Sequence, residues 1–276
     1  MKKTFFSVII PTFNRAAFLQ KSIDSVLNQT EPDFELLIAD DGSTDNTCSL
    51  VSDIKDNRIK YLQLDHQGVS RARNEAIKTA CSDNLVFLDS DDYFKIDKLE
   101  IAKKYILKYP EFDIFHTEEI WYRNNTILNQ KNIHKKPDGE IFKKALRLCC
   151  IGMSTVVLKK KVFQEIGYFD EQLPACEDYD LWLRASIKYQ FKLIPKVLTV
   201  KHGGHEDQLS KLFPAMDRFR ITAIEKILKS KKLTVTQHQA AVKELKRKCS
   251  IYVKGALKRG KDTEAIYYNE LKNHFD

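Results

Sequence analysis

Residues 84–94 read NLVFLDSDDYF, and this stretch decides how the rest of the chain is interpreted. Its first half is a short continuous apolar run, which is typical of a strand buried on both faces of a sheet. Its second half places Asp89, Asp91 and Asp92 together where the strand ends. Such close carboxylates repel one another unless a cation lies between them, and Mg²⁺ and Mn²⁺ take oxygen ligands beside substrate phosphates. The stretch predicts a metal–diphosphate site. The alternatives are a solvated acidic turn, or a helix N-terminus after Phe94 that is capped by Asp91 or Asp92.

Three similar units precede this stretch. Strand-like apolar runs occupy residues 5–10, 34–39 and 59–64. Apolar residues at helical spacing follow each run, and such alternation indicates a parallel sheet with right-handed crossovers. Polar loops at 11–15, 40–45 and 89–92 would then meet at one edge of the sheet. Open α/β sheets bind nucleotides at that edge, so the pattern predicts a nucleotide site.

Charge is distributed unevenly along the chain. The net charge of +8 comes from residues 211–276, which hold 16 Lys and Arg against 7 Asp and Glu, a balance of +9. Residues 1–210 hold 30 against 31, a balance of −1. From residue 212 onward the apolar spacing is helical only. A basic helical segment beside a neutral domain suggests an anionic partner such as a membrane surface; the alternative is a merely soluble lysine-rich face.

Composition excludes several classes of protein. The 276 residues are 43% hydrophobic, which is ordinary for a globular chain, and no apolar run is long enough to span a membrane. Residues 1–4 lead directly into a strand pattern, so no signal peptide is expected. The six cysteines show no metal-binding spacing and suit reduced thiols. We therefore expect a cytoplasmic protein, with peripheral contact at the inner membrane face.

Five segments together resemble glycosyltransferase family 2, the inverting nucleotide-sugar transferases of the GT-A fold. The segments are VIIPTFNR (8–15), LLIADDGSTDNT (36–47), GVSRARNEAI (68–77), LVFLDSDDYF (85–94) and EDYDLWLR (177–184). They occur in the family's order and spacing. The resemblance implies an α/β, Rossmann-like fold with a mostly parallel sheet flanked by helices. It implies a GT-A domain over 1–210, with a nucleotide-binding half (1–110) and an acceptor half (111–210), followed by the basic helical extension 211–276.

The resemblance also assigns residues of a donor site. Asp91 would bind Mn²⁺ or Mg²⁺, and the metal ion would act as a Lewis acid on the leaving diphosphate. Asp89 would reach the ribose or the metal through water. Asp41 would accept a hydrogen bond from uracil N3–H, and Phe13 would stack on the base unless it is ordinary core. The other nucleotide-binding residues would be Pro11, Thr12, Arg15 and Arg73. For Arg73, the alternative is a surface arginine on a helix.

The second half of the chain carries the expected catalytic base. The resemblance assigns this role to Asp178, with Glu177 beside it raising the pKa of either group by like-charge repulsion. The alternative is a pair of acids that only stabilise a helix N-terminus. In the late loop, His202 or His205 would complete the metal shell or touch the diphosphate unless both are plain surface residues. The adjacent glycines at 203 and 204 would let that loop close.

The sequence therefore predicts an inverting, metal-dependent glycosyltransferase. Its donor would be a UDP-sugar, and its acceptor a glycan or lipid-linked hydroxyl in surface polysaccharide synthesis. Residues 211–276 would face an anionic membrane, and no nucleic-acid partner is expected. Two alternatives are a metal-dependent phosphatase or nucleotidyltransferase with a DxD site, and an inactive nucleotide- or glycan-binding module. The sequence does not indicate the sugar, the acceptor or the oligomeric state.

Overall fold

The fold is built around strand β1 (Phe6–Thr12), every residue of which is buried. It is seen in a computed structural model that describes residues 4–123, 126–128, 132–204, 213 and 215–275. Ile9 packs into one hydrophobic core, whereas Val8 and Ile10 pack into another on the opposite side. Successive side chains of a strand point to opposite faces, so a strand between two cores needs a continuous apolar run.

The first part of the chain alternates strands and helices as the sequence predicts. After β1 come α1 (Ala16–Leu27), β2 (Phe34–Asp40), α2 (Thr47–Asp53), β3 (Ile59–Gln63), α3 (Val69–Thr79) and β4 (Asn84–Phe87). Strand β1 pairs in parallel with β2 and β4, and β2 pairs in parallel with β3. The carboxyl ends of these four strands therefore lie along one edge of the sheet.

The second part of the chain extends the sheet with mixed pairing. Its elements are β5 (Tyr93–Phe94), α4 (Lys98–Lys108), β6 (Ile114–Arg123), β7 (Thr126–Ile127), α5 (Phe142–Arg147), β8 (Val156–Lys159), α6 (Lys160–Ile166), α7 (Glu177–Lys188) and β9 (Phe191–Gly203). Strand β8 lies antiparallel between β4 and β6, and β9 pairs in parallel with β6. The short strand β5 pairs antiparallel with β9, which brings Val200 beside Tyr93. This pairing holds the end of β9 against the acidic loop 89–92.

Among the residues that the structure describes after β9, three helices follow: α8 (Asp217–Lys229), α9 (Val235–Leu257) and α10 (Asp262–His274). Helix α8 packs on α7, and α9 packs on α5. Ile221, Ile224 and Ile227 of α8 are buried in the same core that contains α3 and α7. The helical character of the segment is as expected, and its apolar stripe is part of the main core. The domain boundary at residues 210 and 211, and the halves at 110 and 111, stay predictions.

Helix α9 has a buried face and an exposed basic face. Leu245, Cys249 and Tyr252 are buried. The opposite face, at 100° per residue, carries Lys243, Arg247, Lys254 and, at the helix end, Lys258, all exposed; we call these four residues the basic stripe. Along the described ranges, no helix combines the length and the apolar character that crossing a bilayer requires.

Candidate active site

Polar loops at the ends of β1 and β2 are tied together directly. Asn14 accepts a hydrogen bond from the backbone N–H of Thr44 at 2.8 Å and donates its own N–H to Ser43 Oγ at 2.8 Å. Asp45 accepts from the N–H of Ala16 at 3.1 Å, at the start of α1. Asn14 holds this position with φ of 50°, a left-handed conformation that asparagine tolerates better than most residues. The predicted convergence of the loops 11–15 and 40–45 is confirmed.

A histidine that the sequence pattern did not mark lies beside Phe13 and Asp41, the two residues predicted to contact the nucleobase. The Phe13 ring, 38% exposed, stacks on the His66 ring with centroids 3.9 Å apart. His66 Nδ1 lies 2.8 Å from Asp41 Oδ2. Asp41 is buried and accepts from the backbone N–H groups of Gln67 and Gly68. Phe13 is thus a surface-facing ring rather than core, and the chain holds the Asp41 carboxylate in one orientation.

Three further nucleotide-binding candidates, Pro11, Thr12 and Arg15, lie at or just after the end of β1. Pro11 and Thr12 are the last residues of β1 and pair with Ala39 and Asp40 of β2. Arg15, which follows in the same loop, reaches the acidic loop instead. The assignment of these residues to nucleotide binding stays a prediction.

Cations of the chain itself compensate the acidic loop. Arg73 Nη2 lies 2.8 Å from Asp89 Oδ1, Lys201 Nζ lies 3.9 Å from Asp89 Oδ2, and Arg15 Nη1 lies 3.8 Å from Asp91 Oδ2. Burial opposes ionisation of Asp89, but Arg73 and Lys201 outweigh it and hold its pKa below the usual value. Burial and the charge of Asp89 raise the pKa of Asp91. A further cation would therefore stabilise Asp91 more than Asp89.

Asp92 joins the acidic loop to the end of β9. It is 1% exposed, and its carboxylate accepts from Ser154 Oγ at 2.6 Å and from the backbone N–H of His202 at 3.1 Å. Lys201 Nζ lies 3.5 Å away. Burial is the main reason that the pKa of Asp92 is raised to about 8, although Lys201 opposes the shift. The helix-cap interpretation of Asp92 is wrong, because α4 begins after Asp97 and the Asp92 side chain binds elsewhere.

His202 lies at the same edge of the sheet. Its ring centroid is 5.4 Å from that of Tyr93 and 5.6 Å from that of Tyr122. With Asp91 and Asp92 it lines a pocket of about 120 Å³. The other lining residues, Ala17, Phe18, Lys21 and Ser22, belong to α1. Residues 201–203, expected in a loop, continue strand β9. His205 lies outside the described residues.

Arg73 connects the two acidic regions of the chain. It is 4% exposed, and its guanidinium binds Asp89 with one nitrogen and Glu177 Oε1 with the other, at 2.6 Å. The interpretation as a surface arginine is therefore wrong. Burial and the neighbouring charge of Asp178 raise the pKa of Glu177, although Arg73 opposes the shift. A single side chain thus joins the carboxylates that follow β4 to those that begin α7, and the two groups lie at one site.

The first turn of α7 is preceded by strained backbone. Cys176 has φ of 64°, a left-handed value that is uncommon for residues other than glycine and asparagine. Glu177 and Asp178 follow it as the first two helical residues. Asp178 Oδ1 accepts from the N–H of Tyr179 at 2.6 Å, and Oδ2 accepts from the Cys149 thiol at 3.1 Å. The predicted position of Asp178 at a helix N-terminus is confirmed.

The acids of this turn differ in whether a positively charged side chain pairs with them. Asp180 is fully buried and pairs with Arg184 at 2.8 Å and Lys226 at 2.7 Å. Glu177 pairs with Arg73. Within the part of the chain that the structure describes, no Lys, Arg or His nitrogen pairs with Asp178. No motif in the sequence marked the other new members of the site, His66, Cys149, Ser154 and Lys201.

Sequence comparison finds a family model and relatives that are described as glycosyltransferases. The model of glycosyl transferase family 2 matches residues 7–167. A protein of Rickettsia felis described as an uncharacterized glycosyltransferase is 37% identical over 216 residues, which cover 76% of this chain and 33% of that protein. The chain thus spans about a third of the length of this relative. Escherichia coli WfgD, a UDP-Glc:α-D-GlcNAc-diphosphoundecaprenol β-1,3-glucosyltransferase, is 36% identical over 181 residues, or 64% of this chain and 68% of WfgD.

Structural comparison agrees on the fold. The structure of Staphylococcus aureus TarS in complex with UDP-GlcNAc matches with a TM-score of 0.71 and 21% sequence identity. The match covers 88% of this chain and 71% of that chain. The predicted α/β fold of GT-A type, with a mostly parallel sheet and a helical C-terminal segment, is confirmed.

Proposed function

This chain belongs to glycosyl transferase family 2, and from that premise we propose the following function. The function is transfer of a sugar, with inversion, from a UDP-sugar to a hydroxyl group of a glycan or lipid-linked acceptor in surface polysaccharide synthesis. The observation that carries the proposal is the bridge from Asp89 through Arg73 to Glu177. The bridge supports the proposal because it joins the acidic loop to Glu177, the residue next to the proposed base Asp178. Sugar transfer needs both a group that stabilises the leaving diphosphate and a base.

The chemical step assigns a different task to each group. The acceptor hydroxyl gives its proton to Asp178, and its oxygen forms a bond to the anomeric carbon. The bond from that carbon to the diphosphate oxygen breaks, and UDP leaves with the electron pair. Attack from the face opposite the diphosphate inverts the anomeric carbon. Asp178 suits the role of base because no Lys, Arg or His side chain of the described residues pairs with its carboxylate.

The donor side of the site favours a uridine nucleotide. Asp41 would accept from the base N3–H, and the Phe13–His66 stack offers a flat surface beside it. Pro11 and Thr12 would line the nucleoside, and Arg15, which pairs with Asp91, would contact the nucleotide at the acidic loop. Arg73 would hold Asp89 towards the ribose. WfgD is named for UDP-glucose, and the TarS structure contains UDP-GlcNAc. These relatives support a UDP-sugar donor.

The acidic loop could bind a divalent cation that takes only one or two ligands from the protein. Among residues 4–123, 126–128, 132–204, 213 and 215–275, no three His, Cys, Asp or Glu side chains converge on one ion position. Asp91 and His202 line the same pocket, and Asp91 carries a carboxylate that a cation would stabilise. Mg²⁺ and Mn²⁺ commonly bind through one or two carboxylates plus substrate phosphates. We therefore propose Asp91 as the direct protein ligand, with Asp89 reaching the cation through water and His202 lining the same pocket. The cation would neutralise the leaving diphosphate.

The basic stripe of α9 supports contact with an anionic membrane. Its side chains are exposed and share one face, so several of them would reach a flat surface together. A peripheral protein of this kind would meet a lipid-linked acceptor at the bilayer. Deleting the C-terminal helices would be a poor test of membrane contact, because α8 is part of the core and its Lys226 pairs with Asp180.

Charge reversal tests the membrane proposal without removing the core helix. The variant K243E/K254E/K258E should bind vesicles of anionic phospholipid roughly 100-fold more weakly at low salt. The control variant K55E/K108E/K143E changes three exposed lysines outside the helical segment by the same charge. Equal vesicle binding by the two variants would show that the basic stripe is only a soluble face.

A ligand screen tests the function itself. We expect UDP and one or more UDP-sugars to raise the melting temperature of the full chain, and Mn²⁺ to enlarge the shift. The stabilising UDP-sugar should then release UDP slowly in water and faster with the correct acceptor. Stabilisation without UDP release under any acceptor would favour an inactive binding module. Release of inorganic phosphate instead would favour a phosphatase.

A further inference from the structure

The candidate base has an unusual neighbour. Cys149, in the segment between α5 and β8, places its Sγ 3.1 Å from Asp178 Oδ2. Among the described residues, this thiol is the one side chain from another part of the chain that hydrogen-bonds the Asp178 carboxylate. Sγ also lies 3.4 Å from the carbonyl oxygen of Ile151. Hydrogen bonds to a charged acceptor are stronger than those to a neutral one, so the thiol proton points to Asp178.

The Cys149 thiol is suited to donate a hydrogen bond rather than to react as a nucleophile. Burial raises the pKa of Cys149 well above its usual value, and the negative charge of Asp178 adds to the shift. The sulfur therefore keeps its proton at neutral pH. A half-buried, protonated thiol is a poor nucleophile, because nucleophilic cysteines react as thiolates. Its remaining property is that of a weak hydrogen-bond donor to the carboxylate.

We propose that Cys149 is a positioning residue for the catalytic base, holding Asp178 Oδ2 through its S–H group in the orientation that receives the acceptor proton. The inference rests on the proposed function, in which Asp178 is the base. During the step the proton moves from the acceptor hydroxyl to Asp178, while the thiol proton stays on sulfur. Cys149 thus takes no part in bond making or breaking.

Several charged groups surround this contact. Glu177 and the Cys176 thiol lie on the same turn, and Cys150 follows Cys149 in the chain. Arg220, from α8, acts electrostatically on the thiols of both Cys149 and Cys176. None of these groups is removed when Cys149 is replaced, so a change in pH dependence would report the lost thiol contact itself.

The test is the pH profile of kcat for variants at position 149. A hydrogen bond donated to a carboxylate favours its charged form, so C149A should move the acidic limb of the profile to higher pH. The plateau kcat should fall several-fold, with an unchanged KM for the UDP-sugar. C149S keeps a donor of similar size and should restore both the limb and the plateau.

A neighbouring cysteine provides the matched control. Cys150 is 4% exposed and has no hydrogen bond to Asp178, so C150A creates a comparable small cavity without touching the base. C150A should leave the acidic limb where it is in the parent chain. If C149A and C150A have the same profile, or if C149S behaves like C149A, the proposal is wrong.

The same experiment separates this inference from the proposed function. D178N is measured beside the cysteine variants. Full transfer by D178N would overturn the assignment of the base and the positioning role with it. Loss of transfer in D178N together with a normal profile in C149A would overturn the positioning role alone.

Discussion

The acidic loop 89–92 and the acidic turn 177–180 differ in how the chain compensates their charges. In the loop, every aspartate has a cation of the chain within 4 Å: Arg73 and Lys201 for Asp89, Arg15 for Asp91, and Lys201 for Asp92. In the turn, only the outer acids are paired. Asp178, between them, has a thiol and a backbone N–H instead.

This difference suggests how structural and chemical acids can be told apart. A buried carboxylate is costly unless it is paired and hydrogen-bonded, so a fold compensates those that it uses for structure. A base must be able to accept a proton, and a close cation would disfavour that. Asp178 has no ion pair with a cation of the described residues. Asp91 has one, at 3.8 Å, and is the least compensated acid of the loop. These two acids are therefore the ones that we expect to act on a substrate or a metal ion.

The sharpest test of the comparison is removal of the charge on Asp178. Asp178→Asn keeps the size of the side chain but cannot accept the acceptor proton, so kcat should fall by about 10³–10⁴-fold. UDP and Mn²⁺ binding should be unchanged, because Asp178 lies outside the donor contacts. Transfer rates and calorimetric UDP binding, measured on the same preparation, check both parts. Normal turnover by this variant would show that another group is the base.

The second test removes the shared cation. Arg73→Met leaves Asp89 and Glu177 without their closest partner, and breaking a buried pair costs about 3 kcal/mol of unfolding free energy at the low end of the usual range. Urea unfolding measures the change. Arg71→Met provides the control, since Arg71 is on the same helix, is less buried and has no ion pair among the described residues. Equal stability of the two variants would mean that the Arg73 bridge does not join the acidic regions.

The third test compares two neighbours within the loop. Asp91→Ala should abolish most of the gain in UDP affinity that Mn²⁺ provides, on the order of 10²-fold, with little change in stability. Asp92→Ala should instead lower the unfolding free energy, because it leaves Ser154 Oγ and the N–H of His202 without their acceptor and removes the nearer of the two carboxylates beside Lys201. Calorimetric titration of UDP with and without Mn²⁺, beside urea unfolding, separates the two. Equal UDP affinity with and without Mn²⁺ in the parent chain would contradict the metal proposal.

The sequence predicts the convergence of the polar loops for a geometric reason. Parallel strands joined by right-handed crossovers end at one edge, so acids after β2 and β4 meet there whatever the details of their loops. The position of Asp178 is also visible, because acids at the start of an apolar helical pattern mark an N-terminus. These features depend on local periodicity, which the sequence shows directly.

The contacts that compensate the loop depend on pairing between distant segments. Strand β5 has two residues, too few to show a periodic pattern, yet its pairing with β9 brings Lys201 to Asp92. Arg73 resembles any helix-surface arginine until its two acidic partners, 16 and 104 residues away, are placed. Cys149 has no spacing that marks it, because its partner comes from another element.

We expect the smallest loss of activity for a substitution of Glu177, which allows a direct comparison with its neighbour Asp178. Glu177→Gln retains an amide oxygen that can accept from Arg73, so the bridge to Asp89 loses charge but not its hydrogen bond. We expect kcat to fall less than about tenfold, because a neighbour that only holds the site contributes through geometry. Transfer rates of this variant and of Asp178→Asn, measured with the same donor and acceptor, make the comparison. If Glu177→Gln loses as much activity as Asp178→Asn, charge compensation does not distinguish the base from its neighbour, and the assignment of Asp178 loses its structural support.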